Sequence, residues 1–290
     1  MRALELTDLL WVCDPGTMER LPVSRDDVVD RLAAGGQRRA AMIARRLPAT
    51  GGVLDEPAID ALLLRVHREL QRLGEELQQP RRVAETIAPW VDRLVARHPG
   101  QRVRIVDVGC GLGYVTRWFS QRHTFGDGVE LLGVDLNATL IAGAETLARA
   151  EGLRCRFVVG NAATRGVAIE PTQPTVVIST GLLHHLQEPE LEAFFREQAD
   201  LNVDAFAHWD VDPSPWSTLG AWVFHRARMR EAVSRHDGVL SARRAHRATT
   251  LLRTSRTLAG GYLLACRDAP LGRPRLTNAL RPVTGVRVPS

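Results

Sequence analysis

Apolar residues in the first hundred positions recur at helical spacing. In DDVVDRLAAGGQRRAAMIARRL, Val28, Val29, Leu32 and, past the Gly35-Gly36 pair, Ala40, Ile43 and Leu47 share one face, with Ser24 placed as an N-cap. PAIDALLLRVHRELQRLGEELQQ opens with Pro57 in a first turn and continues through Ile59, Leu62, Leu63, Val66, Leu70, Leu73 and Leu77. PRRVAETIAPWVDRLVARH predicts a further helix, kinked or started anew at Pro89. From residue 102 the period changes. Short β-branched runs at 103–108, 130–135, 154–159, 174–179, 203–209 and 261–266 alternate with helical patterns near 114–123, 138–151, 188–200, 215–232 and 247–258. That alternation predicts a parallel sheet built from βαβ units. Residues 270–290 are rich in Pro and Arg, with only weak strand character around Val283 to Val288.

Composition changes this picture little. The hydrophobic share of 44% and charged share of 24% are those of an ordinary globular chain. The formal charge of +5 invites an acidic partner, but all 38 Lys+Arg residues are Arg, which points first to a biased codon usage and a solvated basic surface. Nucleic acid is therefore not the expected partner. Cys13, Cys110, Cys155 and Cys266 are far apart and form no C-x-x-C pair, so they read as reduced small hydrophobes, and no metal site is expected. Glu5 and Asp8 interrupt the apolar N-terminus, and no run approaches the roughly 18 apolar residues of a membrane span. A cytoplasmic location is expected.

The chemistry-bearing stretch is VRIVDVGCGLGYVTRWF, Val103 to Phe119. A strand ending in Asp107 meets Gly109, Gly111 and Gly113 and then a helix, the arrangement in which a ligand lies against bare backbone N–H groups at a helix N-terminus. A dinucleotide fingerprint needs its third glycine where this chain has Tyr114, so G-x-G-x-G is a different loop.

VDVGCGLG resembles the first motif of the class I S-adenosylmethionine-dependent methyltransferases, and further segments fit that family in order. ELLGVDLN resembles the second motif, CRFVVGNA the third, PTVVISTGLLHHL the fourth, and HWDVDP falls at the fifth-strand end. The resemblance covers about residues 100 to 268. It implies a Rossmann-like, doubly wound α/β fold with a mostly parallel seven-stranded sheet and an N-terminal helical cap. It also implies S-adenosyl-L-methionine as cofactor, with S-adenosyl-L-homocysteine as product. Under it, Asp107 receives the methionyl ammonium and braces the loop, while Gly109, Cys110, Gly111 and Gly113 provide the close backbone approach. Asp135 accepts the ribose hydroxyls as a charge-assisted pair, although a helix cap is its plainer role. Leu136 covers the adenine. Asn161, where many members carry Asp, and Ala162 lie along the adenine edge.

The end of the fourth strand, STGLLHHL, carries neither the Asn/Asp-Pro-Pro-aromatic quartet of base amino-methyltransferases nor a Pro-Cys nucleophile. The L-x-H-H-L ending resembles that of enzymes acting on small metabolites, which makes a small-molecule acceptor the expected partner. Methyl transfer needs alignment and, for a hydroxyl acceptor, a base. His185 and His184 are the candidate catalytic residues, O-methylation is slightly preferred, and one of the two histidines is expected merely to pack. An RNA methyltransferase and a noncatalytic binding protein retaining the fold are the rival readings.

Tyr114, His208, Asp210, Trp216, Arg230 and Arg235 are candidate substrate-pocket residues. From Arg226 to Arg256 there are nine arginines against Glu231 and Asp237. Either this segment is a lid for an anionic acceptor, or it is a solvated helix face. Arg230, Arg235, His236 and Asp237 cluster around an expected RHDG turn. The domain reading is a helical cap over 1–99 and a methyltransferase core over 100–290, with an acceptor-covering insertion at about 210–246. The cap supplies the other pocket wall or a homodimer surface.

Overall fold

The computed structural model describes residues 3–14, 16–161, 172–258, 261–266 and 280–288. In chain order the helices are α1 (Thr7–Leu10), α2 (Arg25–Ala34), α3 (Arg38–Arg45), α4 (Glu56–Glu76), α5 (Gln79–Arg97), α6 (Tyr114–Gln121), α7 (Ala138–Ala150), α8 (Glu188–Asp200), α9 (Pro215–Arg228), α10 (Ala232–Arg244) and α11 (Ala248–Ser255). The principal strands are β1 (Val103–Val108), β2 (Val129–Asp135), β3 (Arg156–Val159), β4 (Thr175–Thr180), β5 (Ala205–Val211), β6 (Tyr262–Cys266) and β7 (Leu280–Arg287). Two short ribbons pair Val12–Cys13 with Arg20–Leu21 and Ala49–Thr50 with Val53–Leu54.

The chain forms two compact units, Met1–Leu73 with Pro213–Arg244, and Gly74–Asp212 with Ala245–Ser290. In the first, Leu6, Leu10, Leu32, Ala40, Ile59, Leu63, Val66 and Val233 share one core. Asp237 fastens the N-terminal segment to α10. Its carboxylate accepts the N–H groups of Leu6 and Thr7 and the Thr7 hydroxyl, each at 2.9 Å. Ser24 caps α2 as expected, accepting the Asp27 N–H at 3.2 Å.

Two expectations fail here. The helical pattern over 215–232 breaks at Met229, because the buried Glu69 carboxylate accepts the N–H groups of Arg230 and Glu231 and starts a new helix. The RHDG segment is not a turn. It lies within α10, where Gly238 lets the helix pass the His225 ring, which a Cβ there would meet at 1.9 Å.

The second unit carries a seven-stranded sheet in the order β6-β7-β5-β4-β1-β2-β3. β1 pairs in parallel with β2 and β4, β2 with β3 and β4 with β5, whereas β7 is antiparallel to both β5 and β6. This is the expected Rossmann-like, mostly parallel sheet. β1 is buried along its whole length, as a central parallel strand requires.

α5 runs through Pro89 without a break. Pro89 is exposed, so the bond it cannot make leaves the Glu85 carbonyl, one turn earlier, on the solvent side, while Val83, Ile87, Val91 and Leu94 hold the inner face. The weak pattern near 283–288 is a full strand, Leu280–Arg287, despite Pro282. Pro282 opposes Trp209 and lies beyond the part of β7 that pairs with β6, so its missing N–H costs no bond to β6.

Candidate active site

The strand order reverses between β1 and β4, since β2 and β3 extend the sheet on one side and β5 on the other. In open α/β sheets ligands bind at the carboxyl ends of the strands at such a reversal, here beside the loops leaving β1 and β4. The glycine loop follows β1, and the Leu183–His185 turn follows β4.

Each loop glycine does what no other residue does comfortably. Gly109, Gly111 and Gly113 have φ of 67°, 55° and 68°, in the left-handed region. A Cβ on Gly113 would also lie 2.2 Å from the Phe157 ring. The N-terminus of α6 has no side-chain cap, so its first N–H groups are presented at the loop.

Asp135 faces this loop. One carboxylate oxygen accepts the Gly111 N–H at 2.8 Å and the other the Asn137 N–H at 2.9 Å. It therefore braces the loop, and each oxygen retains a further lone pair for a ligand hydroxyl. The capping role falls to Asn137, whose side chain accepts the Thr139 and Leu140 N–H groups at the start of α7. Leu136 is 38% exposed, an apolar side chain turned to solvent beside that carboxylate. Asn161 is half-buried at the end of β3, and Ala162 lies outside the described residues. Cys110 tucks its sulfur toward Gly133, and burial pushes its thiol well up, so it is an inert packing group.

Asp107 is the most unusual group here. It is buried, and one oxygen accepts the Thr116 hydroxyl at 2.9 Å while the other has no hydrogen-bond partner. Burial pushes its carboxyl up to about 7, offset in part by the Thr116 bond and reinforced by Asp135. An orphaned carboxylate oxygen beside three glycines and an uncapped helix end is an electrostatic seat for a cation. Thr116 was not among the sequence candidates. A hydroxyl three residues beyond Gly113, buried with Val115 and Phe119 on the same helix, is the signal that marks it. Tyr114 opens α6 half-buried, packs on Gly74, and has its phenol pushed up to about 12 by burial and the nearby Glu75.

The turn after β4 is braced from two sides. Asp210 accepts the His184 backbone N–H at 2.7 Å, and its other oxygen lies 2.8 Å from His184 Nδ1. Burial alone would raise the Asp210 carboxyl, but the His184 charge and hydrogen bonds from His184 and Val211 hold it below the usual range. From the other side, His246 Nε2 lies 3.1 Å from the Leu183 carbonyl and 2.9 Å from that of Leu186. Nothing local in the sequence marks His246, which lies 60 residues away. His184 is buried and His185 only half-buried, with ring centroids 4.2 Å apart.

The other expected pocket residues divide between the two units. His208 is fully enclosed, with Nδ1 2.9 Å from the Ser179 hydroxyl and Nε2 3.0 Å from Gln198 Oε1, and its ring stacks on Phe206. Burial drives its pKa down to about 3, so it is a neutral core histidine and not a pocket wall. Asp210 is likewise enclosed and acts through His184. Trp216, Arg230 and Arg235 belong to the other unit. Trp216 is 75% exposed, and the Arg235 guanidinium donates to the Met229 carbonyl at 2.7 Å. Among the described residues no helix is long and apolar enough to cross a membrane.

Comparison with known proteins bears on this geometry. A family model described as "Methyltransferase domain" matches residues 105–202, from β1 past the end of α8. No curated protein matches the sequence. Among solved structures, the plantazolicin methyltransferase BamL, in complex with a triazolic desmethylPZN analogue and SAH, is similar with a TM-score of 0.56. It is 14% identical, over 76% of this chain and 90% of that one. The methyltransferase domain of bacterial-CtHen1-C has a TM-score of 0.50 at 12% identity, over 70% of this chain and 97% of that one. At such identities the likeness is one of fold, while the matched segment contains the glycine loop, Asp135 and the histidine turn. Residues 105–202 are thus similar to a methyltransferase domain, carried on a Rossmann-like sheet.

Proposed function

We propose that the chain moves a methyl group from S-adenosylmethionine to a hydroxyl of a small metabolite. The observation that carries the donor half is the orphaned, buried Asp107 oxygen beside the three left-handed glycines. It suits the methionyl ammonium, the remaining lone pairs of Asp135 suit the ribose hydroxyls, and Leu136 suits the adenine face. The donor supplies an electrophilic methyl on a sulfonium. The chain holds it in line and excludes water.

The braced turn carries the acceptor half. When His184 donates through Nδ1 to Asp210, it anchors the turn, and the less buried His185 is left to take the hydroxyl proton as oxygen attacks carbon. His185 is thus the proposed base and His184 its support. BamL, of the same fold, was solved with a triazolic desmethylPZN analogue, which favours a metabolite acceptor.

Calorimetric titration with S-adenosylmethionine and S-adenosylhomocysteine, beside Asp135→Ala, tests the donor site. Micromolar binding, weakened at least about tenfold in the variant, is expected. A transfer screen with radiolabelled methyl over phenols, aliphatic alcohols, carboxylic acids, amines and transfer RNA follows. The expected result is labelling of a hydroxyl compound, with kcat reduced about 100-fold or more in His185→Asn and donor affinity unchanged. Labelling confined to amines or RNA, at a rate indifferent to His185, would remove the hydroxyl reading.

A further inference from the structure

The first unit segregates its charge. Residues 31–54 hold Arg31, Arg38, Arg39, Arg45 and Arg46 and no carboxylate. Other arginines are answered within the fold, as Arg20 is by Asp60, Arg104 by Glu130 and Arg287 by Asp204. Arg38, Arg39, Arg45 and Arg46 are exposed, and among the described residues none of the four makes an ion pair or a side-chain hydrogen bond. An arginine-only composition accounts for their number but not for their sharing one face of one short helix. In α3, Ala40, Ala41 and Ala44 are buried, and Arg38, Arg39, Met42, Arg45 and Arg46 lie on the opposite side. Arg46 is the C-cap and continues the helical path, with φ −88° and ψ −5°. At 3.6 residues per turn, Arg38 and Arg45 fall about 40–60° to one side of Met42, and Arg39 and Arg46 about as far to the other.

The surrounding architecture says what this face fits. Gly35, Gly36 and Gln37 join α2 to α3, with Gly36 at φ 72°, and Val28, Val29 and Leu32 share a core with Ala40, Ala41 and Ala44. The ribbon that follows turns at Gly51 and Gly52 and returns to the start of α2, where the Leu54 N–H donates to the Val23 carbonyl and the Arg25 N–H to the Gly52 carbonyl, each at 2.9 Å. Helix, three-residue turn and helix, backed by a hairpin, is the arrangement that presents its second helix to a nucleic-acid groove. We propose that α3 docks in the major groove of duplex DNA, with Met42 toward the base edges and one pair of arginines toward the phosphates of each wall. That groove, about 12 Å wide, admits a helix, whereas the deep, narrow major groove of duplex RNA does not. An anionic membrane is the poorer occupant, because Met42 is the one large apolar side chain on the face and gives no wedge to enter the headgroups. Asp26, Asp27 and Asp30, exposed on α2, repel phosphate and leave the contact to α3. The DNA is a docking partner and not a methyl acceptor, so the proposal goes beyond methyl transfer and does not depend on the donor site.

The test uses the full chain and a fluorescein-labelled DNA duplex of mixed sequence, read by anisotropy over a salt series. Binding with Kd on the order of 1–100 μM is expected, with a slope of log K against log salt of about −3 to −4 for four phosphate contacts. Arg38→Ala/Arg39→Ala/Arg45→Ala/Arg46→Ala is expected to weaken binding at least about tenfold at low salt and to flatten the slope, and Arg38→Ala alone to reduce the slope by about 1. Arg97→Ala/Arg196→Ala/Arg226→Ala/Arg243→Ala removes the same charge from exposed positions elsewhere and is expected to keep the parent slope. Circular dichroism and thermal melts of both variants matching the parent separate loss of the face from unfolding. No binding of the duplex at low salt, or equal weakening in the two quadruple variants, overturns the proposal. So does tighter binding of duplex RNA, or of phosphatidylcholine vesicles carrying phosphatidylglycerol, that the α3 variant loses, which assigns the face to that partner instead.

Discussion

Asp107 carries the sharpest consequence of burial in the molecule. The folded protein holds its proton up to about pH 7, whereas an unfolded carboxyl releases it near 3.8. The native state therefore binds more protons between those values, and its stability falls as the pH rises from about 4 to about 7. The full shift corresponds to a penalty on the order of 4 kcal/mol above pH 7. Asp107→Asn keeps the shape and removes the ionisation. In thermal melts without ligand it is expected to be more stable than the parent at pH 8 and no more stable at pH 5. The same variant is expected to bind S-adenosylmethionine at least about tenfold more weakly, because the cation loses its counter-charge. Equal melting at pH 8 would show that Asp107 is hydrated or paired in solution.

The Leu183–His185 turn shows how a functional element is held by groups that never need to touch a ligand. It has three residues and no side-chain cap, so it has little stability of its own. Asp210 on β5 and His246 ahead of α11 clamp it from opposite directions. Asp210 accepts from the His184 N–H and Nδ1 and from the Val211 N–H, and in Asp210→Asn one accepting oxygen is replaced by an N–H₂ that faces a donor. That is expected to cost about 2–4 kcal/mol of stability. Because the carboxyl of Asp210 is held low, its contribution is present above the unfolded value of about 3.9 and is lost as the pH falls through its folded value. The fall of melting temperature with pH below about 4 should accordingly be shallower in the variant than in the parent. In transfer assays kcat is expected to fall while donor affinity stays within about twofold, a split that general unfolding does not produce.

At the scale of the whole molecule, the chain leaves the sheet-bearing unit at Asp212 and rejoins it at Ala245, and the excursion folds with residues 1–73. Its ties to that segment are specific. Asp237 takes the Leu6 and Thr7 N–H groups, Glu69 takes those of Arg230 and Glu231, and Val233 enters the shared core. Residues far apart in sequence should then open together. In Asp237→Ala, amide exchange is expected to accelerate both in residues 6–10 and in α10, while the β1 and β4 amides keep their protection. Acceleration confined to residues 6–10 would show that the excursion is stable without the N-terminal segment.

The alternation of period that sets the parallel strands, the glycine spacing and the placement of Asp107 and Asp135 are all local features. They were legible because helix and strand impose different periods and because left-handed backbone demands glycine. The edges were not. A full strand at 280–287 rests on pairing with β5 and β6, which overrides Pro282, and the helix break at Met229 rests on Glu69, distant in sequence. The histidines show the same division most clearly. His184, His185, His208 and His246 are alike as letters, and only burial and distant partners make one a neutral core group, one a clamp, one an anchor and one the proposed base. Local chemistry is written along the chain, whereas the environment that selects among identical side chains exists only once the sheet brings strand ends together.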